Sequence, residues 1–331
     1  MNEPKKRLAE YEALRGLSIV LLLILHSEII GISFYGIPLD PLAKFMSAFL
    51  LGSFFFLAGY FLDMSISRYT GNALGFIKTR VVRIYPPYWM ALVFFMMLYT
   101  LKRFDMAVYI LNLQAVFSPV FVKPLLTLWY ISMLVVFNIL FGILLWLIKT
   151  NKGLFISALV LFVVIYIVHV VTGLFDPRFF RYYIVFLAGI YFYRFEHVQN
   201  YLFSLPSLAK VIAALAATGG YLWVQILQLD MINFVHIVIV DLFIFAWVLV
   251  VLSIFRTPIG SWKIWGFLSV ASYFAYLIHR PLWYYLSLVF DVEKWGGATM
   301  FDFLPGSIAA LIIGYFLQIA YDRVISALRL R

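Results

Sequence analysis

Cysteine is absent from the 331-residue chain, which excludes disulfides, thiol nucleophiles and cysteine-ligated metal. Charge is scarce: Asp, Glu, Lys and Arg make up 12% of the residues, against about 25% in an ordinary globular chain. No hydrophilic run is long enough for a soluble domain. The phosphate loops GxxxxGK[ST] and GxGxxG, the zinc helix HExxH and the hydrolase elbow GxSxG are all missing, and no Cys/His metal spacing occurs. No metal is therefore expected. The net charge of +10 comes without a nucleic-acid module. Basic residues gather at the ends of apolar runs, as membrane topology requires, so no nucleic-acid partner is expected. The first apolar run has spanning length and no small-residue cleavage site, which argues against a secretory signal. No convincing internal repeat is found, and this weighs mildly against transporter folds built from repeats.

What remains is hydrocarbon. Hydrophobic residues form 65% of the chain, and the mean hydropathy is +1.00. The apolar runs are continuous and of helical length rather than alternating, which argues against a β-barrel. The expectation is an all-α polytopic protein of about ten transmembrane helices in a single bundle, one domain over residues 1–331. The spans are placed near 13–34, 42–62, 84–101, 126–148, 154–174, 180–195, 209–229, 233–255, 264–287 and 304–324. An even count puts both ends on one side. Lys and Arg then divide about 17 to 8, which predicts cytoplasmic termini and a multi-pass protein of the inner or plasma membrane. The longest non-spanning stretch, 102–125, has an apolar middle, Ala107 to Val116, that suits a re-entrant or interfacial helix on the outer side.

Arg15 and His26 lie eleven residues apart in the first run. At about 100° per residue they share a helix face, about 16 Å apart along the axis. The spacing predicts a fixed cation near one membrane surface and a titratable imidazole near mid-bilayer, where ionisable groups usually face a bundle interior or wet cavity. A lone membrane histidine is also often bonded to a neighbouring backbone carbonyl. Glu12 stands one turn before Arg15 and can pair with it, while Glu28 points elsewhere and fits the outer interface. Arg80 and Arg83 are i, i+3 neighbours, placed at the cytoplasmic mouth of the third span with Lys78 close by. Two guanidinium forks on adjacent turns suit a phosphate clamp, although topogenic charge explains most such arginines. Pro86 and Pro87 are expected to break helical bonding there and open a cavity mouth. Tyr273, Tyr276 and His279 form a polar aromatic stripe in the ninth span, beside Arg280, and an interfacial aromatic belt would look the same. Trp129 offers an aromatic wall for a sugar or an outer belt. Asp241, inside the eighth span, needs a partner or a wet pocket. His169, His197 and His236 show no partner signal.

Taken in order, these segments resemble the acyltransferase-3 membrane proteins. Glu12-Ala-Leu-Arg15-Gly-Leu-Ser followed by His26 is similar to that family's R-x10-H signature. Phe54-Phe-Phe-Leu-Ala-Gly59-Tyr-Phe-Leu is similar to its FFxLSGF segment, and Arg80-Val-Val-Arg83-Ile-Tyr-Pro86-Pro-Tyr-Trp89 to its RxxRIxPxYW segment. Ser272-Tyr-Phe-Ala-Tyr-Leu-Ile-His279 is similar to its SYxxYLxH segment. One departure is plain: many members carry an acidic pair after the Leu-Trp motif, and the stretch from Leu128-Trp129-Tyr130 to Asn138 has no carboxylate.

The resemblance implies acyl transfer, most often of acetyl, from acetyl-CoA or another acyl-CoA to a hydroxyl of a sugar, surface glycan or lipid-linked glycan, in a member without an appended SGNH domain. It implies His26 as general base or as covalent acyl carrier, with Arg15 beside it. Arg80, Arg83 and Lys78 would hold the coenzyme A phosphates. Tyr276, His279 and Trp129 would meet the acceptor or stabilise the oxyanion. The expected partners are the coenzyme A thioester, the sugar acceptor and the lipid bilayer. A transporter or exporter of glycans or small acids could use the same buried track.

Overall fold

The computed structural model describes residues 8–31, 40–66, 69, 73–98 and 102–328. The topogenic residues Lys5, Lys6, Arg7, Arg68, Arg329 and Arg331 lie outside them, as do the ends of the expected spans at 32–34 and 99–101. Among the described residues every regular element is helical. The helices are α1 (Ala9–His26), α2 (Asp40–Ile66), α3 (Ala73–Leu98), α4 (Arg103–Ile110), α5 (Gln114–Phe117), α6 (Leu128–Leu147), α7 (Asn151–Thr172), α8 (Arg178–Arg194), α9 (Glu196–Ser204), α10 (Ser207–Ile226), α11 (Phe234–Phe255), α12 (Lys263–Val289), α13 (Ala298–Phe301) and α14 (Ser307–Ala327).

Seven helical runs among the described residues are long and apolar enough to cross a bilayer: α2, α3, α6, α7, α10, α11 and the run Ala298–Ala327 through α13 and α14. The protein is therefore all-α and multi-pass. The other expected spans fall on α1, whose 18 residues include three charged ones, on α8, which has only 17 residues, and on α12. Glu10, Glu12 and Arg15 lie on α1; Arg178, Arg181 and Arg194 on α8; Lys263, His279 and Arg280 on α12.

The first span was expected to run through His26 to residue 34. Instead α1 ends at His26, with Ser27 Oγ donating to Ile24 O at 2.8 Å. Glu28 follows in the left-handed region (φ 62°), and a 3₁₀ turn covers Ile29–Gly31. His26 therefore sits at the carbonyl end of a helix rather than inside one. The third span was expected to begin at residue 84, yet α3 begins at Ala73 and passes unbroken through Pro86 and Pro87. Arg80 and Arg83 thus stand inside the helix, and the two prolines do not end it. The expected single helix over Ala107–Val116 is two, α4 and α5, separated at Asn112, whose φ is 56°.

The helices gather into two compact units. One comprises Met1–Phe54, Leu202–Ala217 and Phe243–Asp322; the other comprises Phe55–Tyr201, Thr218–Leu242 and Arg323–Arg331. In the first unit α12 packs against both α1 and α14. Gly16 of α1 lets that helix approach so closely that a Cβ would lie 3.0 Å from Leu268 Cβ. On α14, Gly314 lies against the α12 backbone, where a Cβ would meet Ala275 N at 2.6 Å.

In the second unit α2 and α8 cross through a reciprocal pair of glycines. A Cβ on Gly59 would fall 2.0 Å from Phe186 O, and one on Gly189 would fall 2.1 Å from Phe56 O. Close backbone approach through small residues is how apolar helices gain packing energy where water does not drive them together. The Phe54–Leu62 segment is thus a crossing point, and Phe55 stacks on Tyr182 with ring centroids 4.7 Å apart. The segment after α3 folds back along it. Tyr88 Oη donates to Tyr109 O at 2.5 Å, Trp89 Nε1 to Ile110 O at 2.9 Å and Tyr85 Oη to Leu111 O at 3.3 Å. Three aromatic donors on α3 thereby reach carbonyls at the end of α4, of which Tyr109 O also accepts from Asn112 N at 3.0 Å. Ser132 Oγ on α6 bridges Asn112 O (2.7 Å) and Ala115 N (2.9 Å), which anchors α5.

Gly59→Val is expected to destabilise the second unit by at least the roughly 1–3 kcal/mol of an overpacked core. Fluorescence-detected size-exclusion chromatography should show loss of the monodisperse peak. An unchanged melting temperature would contradict the crossing.

Candidate active site

α1 and α12 bring two imidazoles together in the first unit. His26 Nδ1 lies 2.8 Å from His279 Nε2, with the rings nearly parallel (13°) and centroids 5.0 Å apart. His279 is 0% exposed, whereas His26 is half-buried. His279 Nδ1 faces two backbone carbonyls of its own helix, Tyr276 O at 2.8 Å and Ala275 O at 3.2 Å. Trp283, one turn on, sets its ring edge against His279 at 5.0 Å and 74°. Close approach at Gly16 and Gly314 fixes α12 between its neighbours, so this geometry comes from packing rather than from the dyad alone.

Two donors around the dyad have no hydrogen-bond partner among the described residues: Arg280 Nε and Trp283 Nε1. The Trp283 N–H edge lies against Gly306, in the π-helical turn Asp302–Gly306 that precedes α14. Such turns recur at functional sites. Tyr276 is buried, with its ring 6.2 Å from His279. Arg15 is half-buried on α1, two turns inside the helix start. Among the described residues no group of three or more His, Asp or Glu could hold a metal ion.

The expected phosphate clamp lies in the second unit and is divided in character. Arg80 is half-buried: its guanidinium donates to Ser65 Oγ on α2 and lies over the Phe76 ring, 5.3 Å from the centroid. Arg83 and Lys78 are exposed. Trp129, half-buried at the start of α6, carries the Arg178 guanidinium on its face at 3.7 Å. Asp176 holds that guanidinium from the side, at 2.7 Å to Nε and 2.5 Å to Nη2.

Sequence reasoning missed four arrangements. His26 and His279 are 253 residues apart, and no local pattern announces their contact. Trp283 had a signal, the i, i+4 spacing from His279, that went unread. His236, which showed no partner signal, accepts from Arg181 Nη2 at 2.7 Å and donates through Nδ1 to Leu229 O at 3.0 Å. His169 Nδ1 faces Leu174 O and Phe175 O, each at 2.8 Å, at the end of α7. Asp241, expected to need a partner, has neither carboxylate oxygen hydrogen-bonded among the described residues, and Arg181 Nε is likewise unpartnered.

A half-buried imidazole backed by a buried one has the chemistry to exchange a proton, and arginines set into helices have the chemistry to bind anionic groups. The protein-family model described as an acyltransferase domain matches residues 8–319, and the chain belongs to that acyltransferase-3 family of membrane acyltransferases. No curated protein and no solved structure matches the chain.

Exposure separates the two imidazoles. Brief treatment with diethyl pyrocarbonate is expected to modify His26 before His279, read as the order in which the two tryptic peptides gain mass. Equal rates would contradict the burial of His279.

Proposed function

We propose that the chain is an integral membrane O-acyltransferase that takes an acyl group, acetyl in the first instance, from acyl-CoA on the cytoplasmic side. It delivers that group to a hydroxyl of an extracytoplasmic sugar, glycan or lipid-linked glycan. Both termini are cytoplasmic in this reading, α1, α8 and α12 complete ten crossings of the plasma membrane, and residues 1–331 act as one catalytic domain. Membership of the family over residues 8–319 supports the acyltransferase class. The observation that carries the mechanism is the 2.8 Å contact that backs the half-buried His26 with the buried His279.

His26 is the general base. It takes the proton of the acceptor hydroxyl as oxygen attacks the thioester carbonyl, then returns it to the departing coenzyme A thiolate. Arg15 holds the donor or orients α1; guanidinium does not exchange protons at neutral pH. Arg80, Arg83 and Lys78 take the donor's phosphates, for which the exposure of Arg83 and Lys78 leaves their charges available. Tyr276 is an acceptor contact; the Trp129 face already carries Arg178, so Trp129 meets the acceptor at its rim alone. The enzyme needs no metal in this scheme.

His26→Ala is expected to lower thiol release from acetyl-CoA by about 10²–10⁴-fold while membrane insertion and elution profile stay unchanged. Wild-type rates in that variant would reject the base assignment, and a pure transporter would release no thiol at all. Arg80→Ala with Arg83→Ala should remove the thermal stabilisation that coenzyme A gives, about 2.7 kcal/mol at a hundredfold excess over Kd. A retained shift would return both arginines to topology.

A further inference from the structure

We propose that His279 is a positioning residue that fixes His26 in the tautomer with Nδ1 protonated, so that Nε2 is the atom that accepts the substrate proton. This rests on the acyl-transfer reading above and deepens it.

The tautomers follow from the closed end of the chain of contacts. A carbonyl oxygen only accepts, so His279 Nδ1 is the donor to Tyr276 O at 2.8 Å and Ala275 O at 3.2 Å. A neutral imidazole carries one N–H, so His279 Nε2 presents a lone pair. That lone pair meets His26 Nδ1 at 2.8 Å, and His26 Nδ1 must therefore donate. His26 Nε2 is left bare, on a half-buried residue whose partner is fully buried. Reversing both tautomers would keep a hydrogen bond between the rings but would set the bare His279 Nδ1 against two carbonyl oxygens that cannot donate. The edge of Trp283 against the same ring keeps it from turning.

The arrangement does the work of a carboxylate–histidine pair with a second imidazole in the carboxylate's place. In the transfer, the acceptor O–H bond breaks and its proton goes to His26 Nε2. The acceptor oxygen bonds to the acyl carbon, the C–S bond breaks, and the thiolate leaves with the proton from Nε2. During that interval the imidazolium donates Nδ1–H to a neutral ring. The charged groups beyond the dyad are Arg280 on α12, Glu28 after α1 and Asp302 in the π turn, and none hydrogen-bonds either ring among the described residues.

Two measurements test this, the first without turnover. Nitrogen-15 NMR of histidine-labelled protein reads five side chains, and His26→Gln and His279→Gln assign the two of interest. The wild type should show His26 with a protonated Nδ1 and a bare Nε2, and His279→Ala should release that preference. A wild-type His26 protonated at Nε2 overturns the proposal whatever the activity. The second measurement is thiol release from acetyl-CoA in dodecyl maltoside, whose maltose headgroup serves as the sugar-hydroxyl probe. His279→Ala should lower kcat about 100-fold with KM for acetyl-CoA unchanged, and His279→Gln, whose amide oxygen accepts from Nδ1–H, should recover about tenfold. A raised KM at unchanged kcat would make His279 a binding contact, and a glutamine variant no better than alanine would make it a packing residue; either overturns the proposal. Wild-type protein that releases no thiol would bring down the reaction instead, and the tautomer would still be decided by NMR.

Discussion

A polar side chain surrounded by hydrocarbon must find its hydrogen bonds within the protein, because no water replaces a missing partner. The dyad meets this constraint, whereas Asp241 and Arg181 Nε have no hydrogen-bond partner among the described residues. His279 is satisfied by its own helix and by His26, Arg194 by Asp63 and Asn151, and Lys210 by Phe203 O and Ser253. The helices that carry the polar groups of the first unit are held at backbone distance by Gly16 and Gly314. With α12 placed so tightly, the imidazoles have little freedom to separate. The chemistry proposed for the site depends on that rigidity, since a base must meet its proton at hydrogen-bond distance.

Much of the fold was legible in the sequence because hydropathy reports membrane helices directly. The run from Asn151 to Thr172 and that from Phe234 to Phe255 agree with expectation to within a few residues. Ends were less legible where polar residues sit inside helices. Lys78, Arg80 and Arg83 marked an apparent boundary, yet α3 begins at Ala73 and carries all three. Pro86 and Pro87 looked like a break because proline lacks an amide hydrogen, but a helix can pass through when its neighbours stabilise the freed carbonyls. At His26 the error ran the other way: an apolar continuation, Ile29 and Ile30, suggested more helix, while Ser27 and the left-handed Glu28 end it.

The site was legible in its parts and not in its joins. His26 and His279 were each visible as candidates, one by its spacing from Arg15 and one by its aromatic stripe. Their contact joins the first helix to the twelfth, and only the packing of α1 on α12 creates it. The same holds for Arg181 with His236, and for Trp129, whose face is covered by an arginine from α8. Residue type and helical phase say which groups can act, while the choice of partner comes from tertiary structure.

The fold-back of α4 along α3 bears on how the chain enters its membrane. Eight residues are too few to cross a bilayer, so the insertion machinery has no reason to integrate Arg103–Ile110 alone. Its terminal carbonyls are received by Tyr85, Tyr88 and Trp89 of α3, Tyr109 O accepting from Asn112 N as well. Biogenesis therefore has an order: α3 must already be seated before the short helix can follow it down.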